Sequence, residues 1–245
     1  MTDVAWASSF FTGKTVVVTG GTGGIGLGLS EAFRDAGATV HATGATDAEA
    51  EAATKAAPNI AFSRLDVRND GALNAFAATI ASPVAALINC AGVNLRAAEF
   101  TPEGFSTVLD INLTGSMRAA TAFRSKLGGG AILNIASMFA FFGAPHAPAY
   151  AASKGGVAQL TKSLAVAYAA ENIRVNALAP GWIETPMTVV PRANPTRNAE
   201  LVGRTPMGRW GTPADLAGPA LFLCSPAAGF VTGAILPVDG GYLVA

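Results

Sequence analysis

Thr15-Val16-Val17-Val18-Thr19-Gly20-Gly21-Thr22-Gly23-Gly24-Ile25-Gly26 is the stretch that decides the fold. Five β-prone residues run without interruption into a glycine-rich turn. The alanine- and leucine-bearing segment Gly24–Ala36 follows with helical spacing. An apolar run with no polar alternation reads as a strand buried on both faces, the signature of a parallel sheet. Glycines let the chain turn tightly and let backbone amides approach an anion, while the positive end of the next helix faces it. A glycine-rich turn alone is weak evidence. Its position between the first strand and the first long helix makes it a candidate pyrophosphate cradle.

The same alternation continues outward. Strands are expected at Thr15–Thr19, Thr39–Thr43, Ala61–Leu65, Ala85–Asn89, Ala131–Ile135, Arg174–Leu178 and Ile235–Val238. Helices are expected at Gly24–Ala36, Gly71–Ala81, Phe105–Ala120, Pro148–Ala170 and Pro213–Cys224. Strands alternating with helices predict an α/β fold: one Rossmann-type, doubly wound parallel sheet of about seven strands with helices on both faces. No repeat or linker divides the chain, so residues 1–245 are expected to form one domain. The long exception is Pro180 to Arg209, whose five prolines rule out one continuous helix. Within it, residues 188–204 are expected to form a mobile lid over a substrate pocket.

Composition narrows the function. Of 245 residues, 51% are hydrophobic and 13% charged, with a net charge of zero. No basic patch or tail favours nucleic acid or a membrane surface. The low charge, with the apolar tail Tyr242-Leu243-Val244-Ala245, points to surface buried between subunits. No apolar run is long enough to span a membrane. Met1 to Thr12 carries Asp3 and no basic segment, so it does not read as a signal peptide, and the cytoplasm is the expected location. Cys90 and Cys224 lie in apolar runs and read as buried thiols. His41 and His146 stand far apart without acidic neighbours at ligand spacing, so no metal site is expected.

The chemistry concentrates in a few polar residues. Tyr150 and Lys154 are four apart in an expected helix and share a face. An ammonium about 4 Å from a phenolate favours it by roughly 4 kcal/mol at an effective dielectric of about 20, or about three pKa units. The pair is therefore expected to bring the tyrosine toward working pH as a proton donor and acceptor. Ser137 follows the strand Ala131–Ile135 at the carboxyl edge of the sheet, where such folds bind ligands. Asn112 is a polar residue inside an apolar helix, costly unless bonded. Asn176, in a strand, reads as structural.

These residues, in this order and spacing, resemble the short-chain dehydrogenase/reductase family across nearly the whole chain. The turn resembles that family's Thr-Gly-x-x-x-Gly-Ile-Gly. Asn89-Cys90-Ala91-Gly92 resembles its Asn-Asn-Ala-Gly, with Cys90 departing from it. Pro180-Gly181 with Thr185, and the tail from Phe230 through Gly241, also resemble its motifs. The resemblance implies an NAD(P)-dependent oxidoreductase that interconverts a secondary alcohol and a ketone. It assigns catalysis to Asn112, Ser137, Tyr150 and Lys154, with Asn112 positioning a water that connects the lysine to solvent. Cofactor contacts follow at Gly20, Thr22, Gly24, Ile25, Gly26, Asp66, Val67, Asn89, Ala91, Gly92, Tyr150, Lys154, Pro180, Gly181, Ile183 and Thr185. Asp66 and Val67 flank the adenine, Lys154 holds the ribose, and Ile183 and Thr185 hold the carboxamide. The resemblance also implies a homotetramer.

The end of the second strand, with Gly44 where an acidic residue would select NAD and no cation at Gly23 or Ala45, leaves NAD or NADP open and leans to NAD. Thr43 and Thr46 could serve either. Met138, Phe139, His146, Trp182 and Met187 are expected to line an apolar substrate pocket for a small-molecule ketone or alcohol. The alternatives are a 3-oxoacyl-carrier-protein reductase, to whose branch the resemblance is closest, and a non-catalytic dinucleotide sensor. The turns before the strands at 131 and 174 lack the basic residues that an acidic carrier would need. The intact set of four polar residues argues against a sensor.

Overall fold

The computed structural model describes residues 5–81 and 83–245; Met1 to Val4, part of the segment that does not read as a signal peptide, lie outside the described residues. In chain order the elements are α1 (Ala5–Phe11), β1 (Thr15–Thr19), α2 (Gly24–Asp35), β2 (Thr39–Gly44), α3 (Asp47–Ala56), β3 (Ala61–Arg64), α4 (Asp70–Thr79) and β4 (Val84–Asn89). Next come α5 (Pro102–Leu109), α6 (Gly115–Phe123), β5 (Ala131–Ile135), α7 (Pro148–Tyr168) and β6 (Arg174–Pro180). The chain closes with α8 (Val189–Ala193), α9 (Pro195–Arg204), α10 (Pro213–Cys224) and β7 (Ile235–Val238). All seven expected strands form within a residue or two of their anticipated ends.

The strands pair in parallel in the order β3-β2-β1-β4-β5-β6-β7. Chain order reverses between β1 and β4, so a crevice opens at their carboxyl ends. Successive side chains serve opposite faces. Val16 and Val18 join α1, α2 and α10 in one core through Phe11, Leu29, Phe33, Leu216 and Leu221. Val17, between them, joins α4, α6 and α7 in the other through Leu73, Phe123 and Leu164. Both faces are thus covered, as strands without polar alternation require.

Two expectations need correction. The helix anticipated over Phe105–Ala120 begins at Pro102, ends at Phe123 and is interrupted by a π-type turn at Asp110–Thr114. Asn112 sits in that wider turn, where Ser116 Oγ donates to its backbone carbonyl at 2.8 Å. The stretch 180–209 is not one continuous helix, as its prolines require, but neither is it irregular throughout: it holds α8 and α9. Pro195 occupies the first position of α9, with Asn194 capping the Arg197 N–H at 3.0 Å, so here proline starts a helix rather than excluding one.

Candidate active site

The glycine turn lies at the β1/β4 crevice. Gly20 and Gly24 have φ of +66° and +51°. A Cβ on Gly20 would fall 2.5 Å from Ala91 Cα, and one on Gly26 would fall 2.0 Å from the Gly20 carbonyl oxygen. Helix α2 starts after Gly23, which offers no side-chain cap. The first-turn N–H groups of α2 therefore have no side-chain acceptor at the cap, which fits an anionic pyrophosphate. A Cβ on Gly24 would lie 3.4 Å from Thr185 Cβ, so the turn and the segment after β6 face one another. Ile183, buried, bridges to Gly211.

At the far end of the crevice, Asp66 is claimed by Arg68 through Nε and Nη2 at 3.0 and 2.6 Å, which lowers the carboxyl pKa. Val67 packs where a Cβ on Gly115 would stand, 2.7 Å away. Two readings of the β2 end change. Thr43 is fully buried in the sheet with an unpartnered hydroxyl, so it does not face the crevice. Thr46 Oγ1 is occupied in capping α3, accepting the Glu49 N–H at 3.2 Å. A side chain at Gly44 would have to displace that of Thr22, whose Oγ1 lies 2.6 Å from its Cβ position. Arg64 pairs with Gly44 in the β2/β3 register and reaches Asp47 at 3.1 Å. That cation, on the neighbouring strand, escaped a reading confined to residues 23 and 45.

Four polar side chains meet beside the crevice. Ser137, just past β5, lines the same cavity as the Tyr150 phenol, and its Oγ accepts the Phe139 N–H at 3.2 Å. Lys154 is one turn of α7 further on. Its Nζ donates to the Ile135 carbonyl at 2.6 Å and sits 5.5 Å from the Tyr150 ring centroid. Asn112 Oδ1 accepts the Val93 N–H at 2.8 Å, and its Nδ2 donates to the Val93 carbonyl and to Ser153 Oγ, each at 3.0 Å. Gly92 lies between Asn112 and Lys154, its Cβ position 3.3 Å from Asn112 Oδ1 and 3.7 Å from Lys154 Nζ.

The electrostatics reverse one expectation. Burial pushes the Tyr150 phenol up to about 12, with only the neighbouring Ser137 hydroxyl opposing it. Burial likewise pulls the Lys154 ammonium down to about 8. Desolvation is the largest influence on both groups. The pair is poised as a neutral phenol, a proton donor, beside a lysine still charged at neutral pH. Cys90, partly buried rather than fully so, has its thiol raised to about 11 by burial, and Cys224 is raised to about 12.

The expected pocket residues come together. Met138, Phe139, His146, Trp182 and Met187 line one cavity of about 710 Å³ with Ser137 and Tyr150. Phe139 packs edge-on against both Tyr150 and Trp182, at centroid distances of 6.3 and 6.0 Å. The cavity is less apolar than expected, because Asn94, Asn194, Arg96, Arg197 and Arg204 also reach it. Tyr242, expected at a subunit contact, instead packs inward against Phe142 and Trp182. Asn89 ties β4 to β5 through Asn134 at 2.9 Å, and Asn176 bonds the Val231 carbonyl and the Ala234 N–H as the structural residue anticipated. Among the described residues no cluster of His, Cys, Asp or Glu could hold a metal, and no helix is long and apolar enough to cross a membrane.

One residue has no counterpart in the sequence reading. Glu99 is 1% exposed. Its Oε1 accepts the Leu95 and Arg96 N–H groups at 2.8 and 3.2 Å, and its Oε2 accepts the Tyr150 N–H at 2.9 Å. It thereby caps α7, whose own cap residue Ala147 has no side chain to do so, and it braces Arg96, held at φ +53°. No local pattern announces an acid that works 51 residues from its partner.

The family described as enoyl-(acyl carrier protein) reductase matches residues 20–243. A galactitol 2-dehydrogenase (L-tagatose-forming) of Cereibacter sphaeroides is 42% identical over 95% of this chain and 96% of its own. A 3-oxoacyl-[acyl-carrier-protein] reductase of Chlamydia pneumoniae is 38% identical over 94% and 96%. The structure of a gluconate 5-dehydrogenase from Burkholderia cenocepacia, in complex with NADP and tartrate, superposes with a TM-score of 0.91 at 32% identity, covering 98% of this chain and 99% of that one. The chain belongs to the short-chain dehydrogenase/reductase family and is an NAD(P)-dependent oxidoreductase that interconverts secondary alcohols and ketones.

Proposed function

We propose that the substrate is a short polyhydroxylated chain, a polyol or sugar acid, oxidised or reduced at a secondary carbon. The observation that carries this reading is the cavity wall: Ser137 and Tyr150 share it with Asn94, His146 and Asn194, side chains that can meet several hydroxyls. The galactitol and gluconate dehydrogenases among the relatives support it.

Tyr150 is the acid and base at the reacting oxygen, and Ser137 holds that oxygen by a second hydrogen bond. Lys154 supplies positive charge behind the phenol and, through donors not used on Ile135, grips the ribose. Asn112 shapes the π-type turn and lines the path by which the lysine is reprotonated. A nicotinamide cofactor, when bound, accepts or supplies the hydride. Gly20, Thr22, Gly24, Ile25 and Gly26 would hold its pyrophosphate end. Asp66 and Val67 would hold the adenine, with Asn89, Ala91 and Gly92 along the crevice. Pro180, Gly181, Ile183 and Thr185 would hold the nicotinamide end.

Residues 188–204 serve as the lid of a one-domain enzyme. Arg96 Nη2 donates to the Met187 carbonyl at 3.1 Å, fastening the start of this segment to the opposite rim. The exposed apolar side chains Phe105, Met117 and Val166, on α5 to α7, support assembly as a homotetramer. A cytoplasmic location agrees with the two unpaired cysteines.

Steady-state turnover of polyols, sugar acids and an acetoacetyl thioester with NAD and NADP tests the reading. Efficient oxidation of a polyol or sugar acid is expected. Preferential reduction of the thioester would install the carrier-reductase reading favoured by the Chlamydia pneumoniae relative.

A further inference from the structure

We infer that the cavity selects an anionic substrate, a sugar acid rather than a neutral polyol, and that Arg204 receives its carboxylate. The inference rests on the polyol or sugar-acid reading above and names the member of that class.

Three guanidinium groups and a single carboxylate line the cavity, those of Arg96, Arg197, Arg204 and Glu200. Arg197 and Glu200 neutralise each other at 2.9 Å. Arg96 and Arg204 have no carboxylate partner among the described residues. Arg96 spends a donor on the Met187 carbonyl, where it works as the fastening of the lid. Arg204 differs. Its guanidinium carbon lies 4.3 Å from the Tyr242 ring centroid and 5.6 Å from that of Phe142. Those ring faces hold a flat cation in place without using its N–H groups. No hydrogen bond or ion pair from the Arg204 side chain occurs among the described residues.

A guanidinium laid on two aromatic rings at a cavity wall, with its donors unspent, is arranged to receive a planar two-oxygen anion by parallel hydrogen bonds. A neutral polyol gains nothing comparable from that charge. Tyr242, four residues from the carboxyl end of the sequence as given, thus acts on substrate choice through Arg204.

The test compares D-gluconate with galactitol at saturating cofactor, in the wild type and in Arg204→Gln and Arg204→Lys. The wild type should favour D-gluconate in kcat/KM. Arg204→Gln should lower kcat/KM for D-gluconate about ten- to hundredfold, the scale of a lost charge-assisted pair, mainly through KM. Galactitol should change by less than about threefold, and Arg204→Lys should fall between. Melting temperature and cofactor affinity report that each variant is folded, and Arg204→Lys carries the comparison alone if Arg204→Gln is not. Equal losses on both substrates, or none, would make Arg204 a packing element of the lid and overturn the assignment. Turnover of galactitol without preference for D-gluconate would overturn the anionic selection while leaving the polyhydroxylated reading intact. Turnover of neither, beside turnover of the acetoacetyl thioester, would overturn both.

Discussion

Replacing Glu99 with alanine should cost both stability and turnover, and the structure sets the size. Three backbone N–H groups point at this carboxylate. Arg96 N–H keeps a second acceptor in Asn94 Oδ1 at 3.0 Å, so the variant strands two donors, those of Leu95 and Tyr150. A buried donor left without an acceptor costs about 1–3 kcal/mol; Tyr150 is half-buried and Leu95 exposed, so water meets much of the deficit and the loss is roughly 2 kcal/mol. For a domain of this size each kcal/mol moves the melting temperature by about 2–4 °C, so a fall of about 4–8 °C is expected in calorimetry. Because Tyr150 N–H is one of the stranded donors, the phenol loses its anchor, and kcat should fall about tenfold or more while cofactor affinity changes little. Glu99→Gln keeps one acceptor oxygen and should lose about half as much stability. A Glu99→Ala protein melting within about 2 °C of the wild type, with kcat unchanged, would refute the claim that this residue caps α7 and places the tyrosine.

Tyr150→Phe keeps the ring and removes the proton; turnover should drop about 10²–10⁴-fold with cofactor binding retained in a fluorescence titration, and an active variant would discard the role. Since burial holds the Tyr150 phenol at about 12, its protonated form prevails at neutral pH, so ketone reduction should be flat there while alcohol oxidation climbs with pH. Lys154 loses its charge as pH rises through about 8, so the oxidation profile should bend near that pH in the wild type and not in Lys154→Met. Arg64→Ala should raise KM for NADP about three- to tenfold and leave that for NAD within about twofold, because only the former carries a 2′-phosphate for a partly exposed cation to meet. Hydrogen exchange across residues 188–204 should slow when cofactor and substrate are both present, with 131–135 slow throughout; equal exchange with and without ligands would reject a lid.

Much of this architecture can be read from the chain because its determinants are local. Val16, Val17 and Val18 are apolar in unbroken series only because both sheet faces are covered, and the same logic locates the other strands. Tyr150 and Lys154 meet because α7 imposes their spacing, and the pocket residues follow from their places after β5 and β6. What escaped is long-range or compensated. Desolvation of Tyr150 depends on everything packed around it, so a pairwise estimate with Lys154 had the wrong sign. Thr43 looks available in sequence, yet packing over its sheet face buries it completely. The π-type turn at Asn112 leaves no mark in a periodicity that survives one extra residue. Arg64 reaches the β2 end across a ladder, and Glu99 reaches Tyr150 across the fold.

The approach of Gly26 to the Gly20 carbonyl has a thermodynamic consequence. With no room for a methyl group between them, the turn and the start of α2 are pressed into one rigid unit as the polypeptide folds. The entropy of ordering that loop is spent once, at folding, and not again each time a nucleotide arrives. Substitutions at these two glycines should therefore register first as lost yield of native protein. Affinity for the phosphates is in this sense a property of the folded state's stiffness rather than of any side chain that touches them.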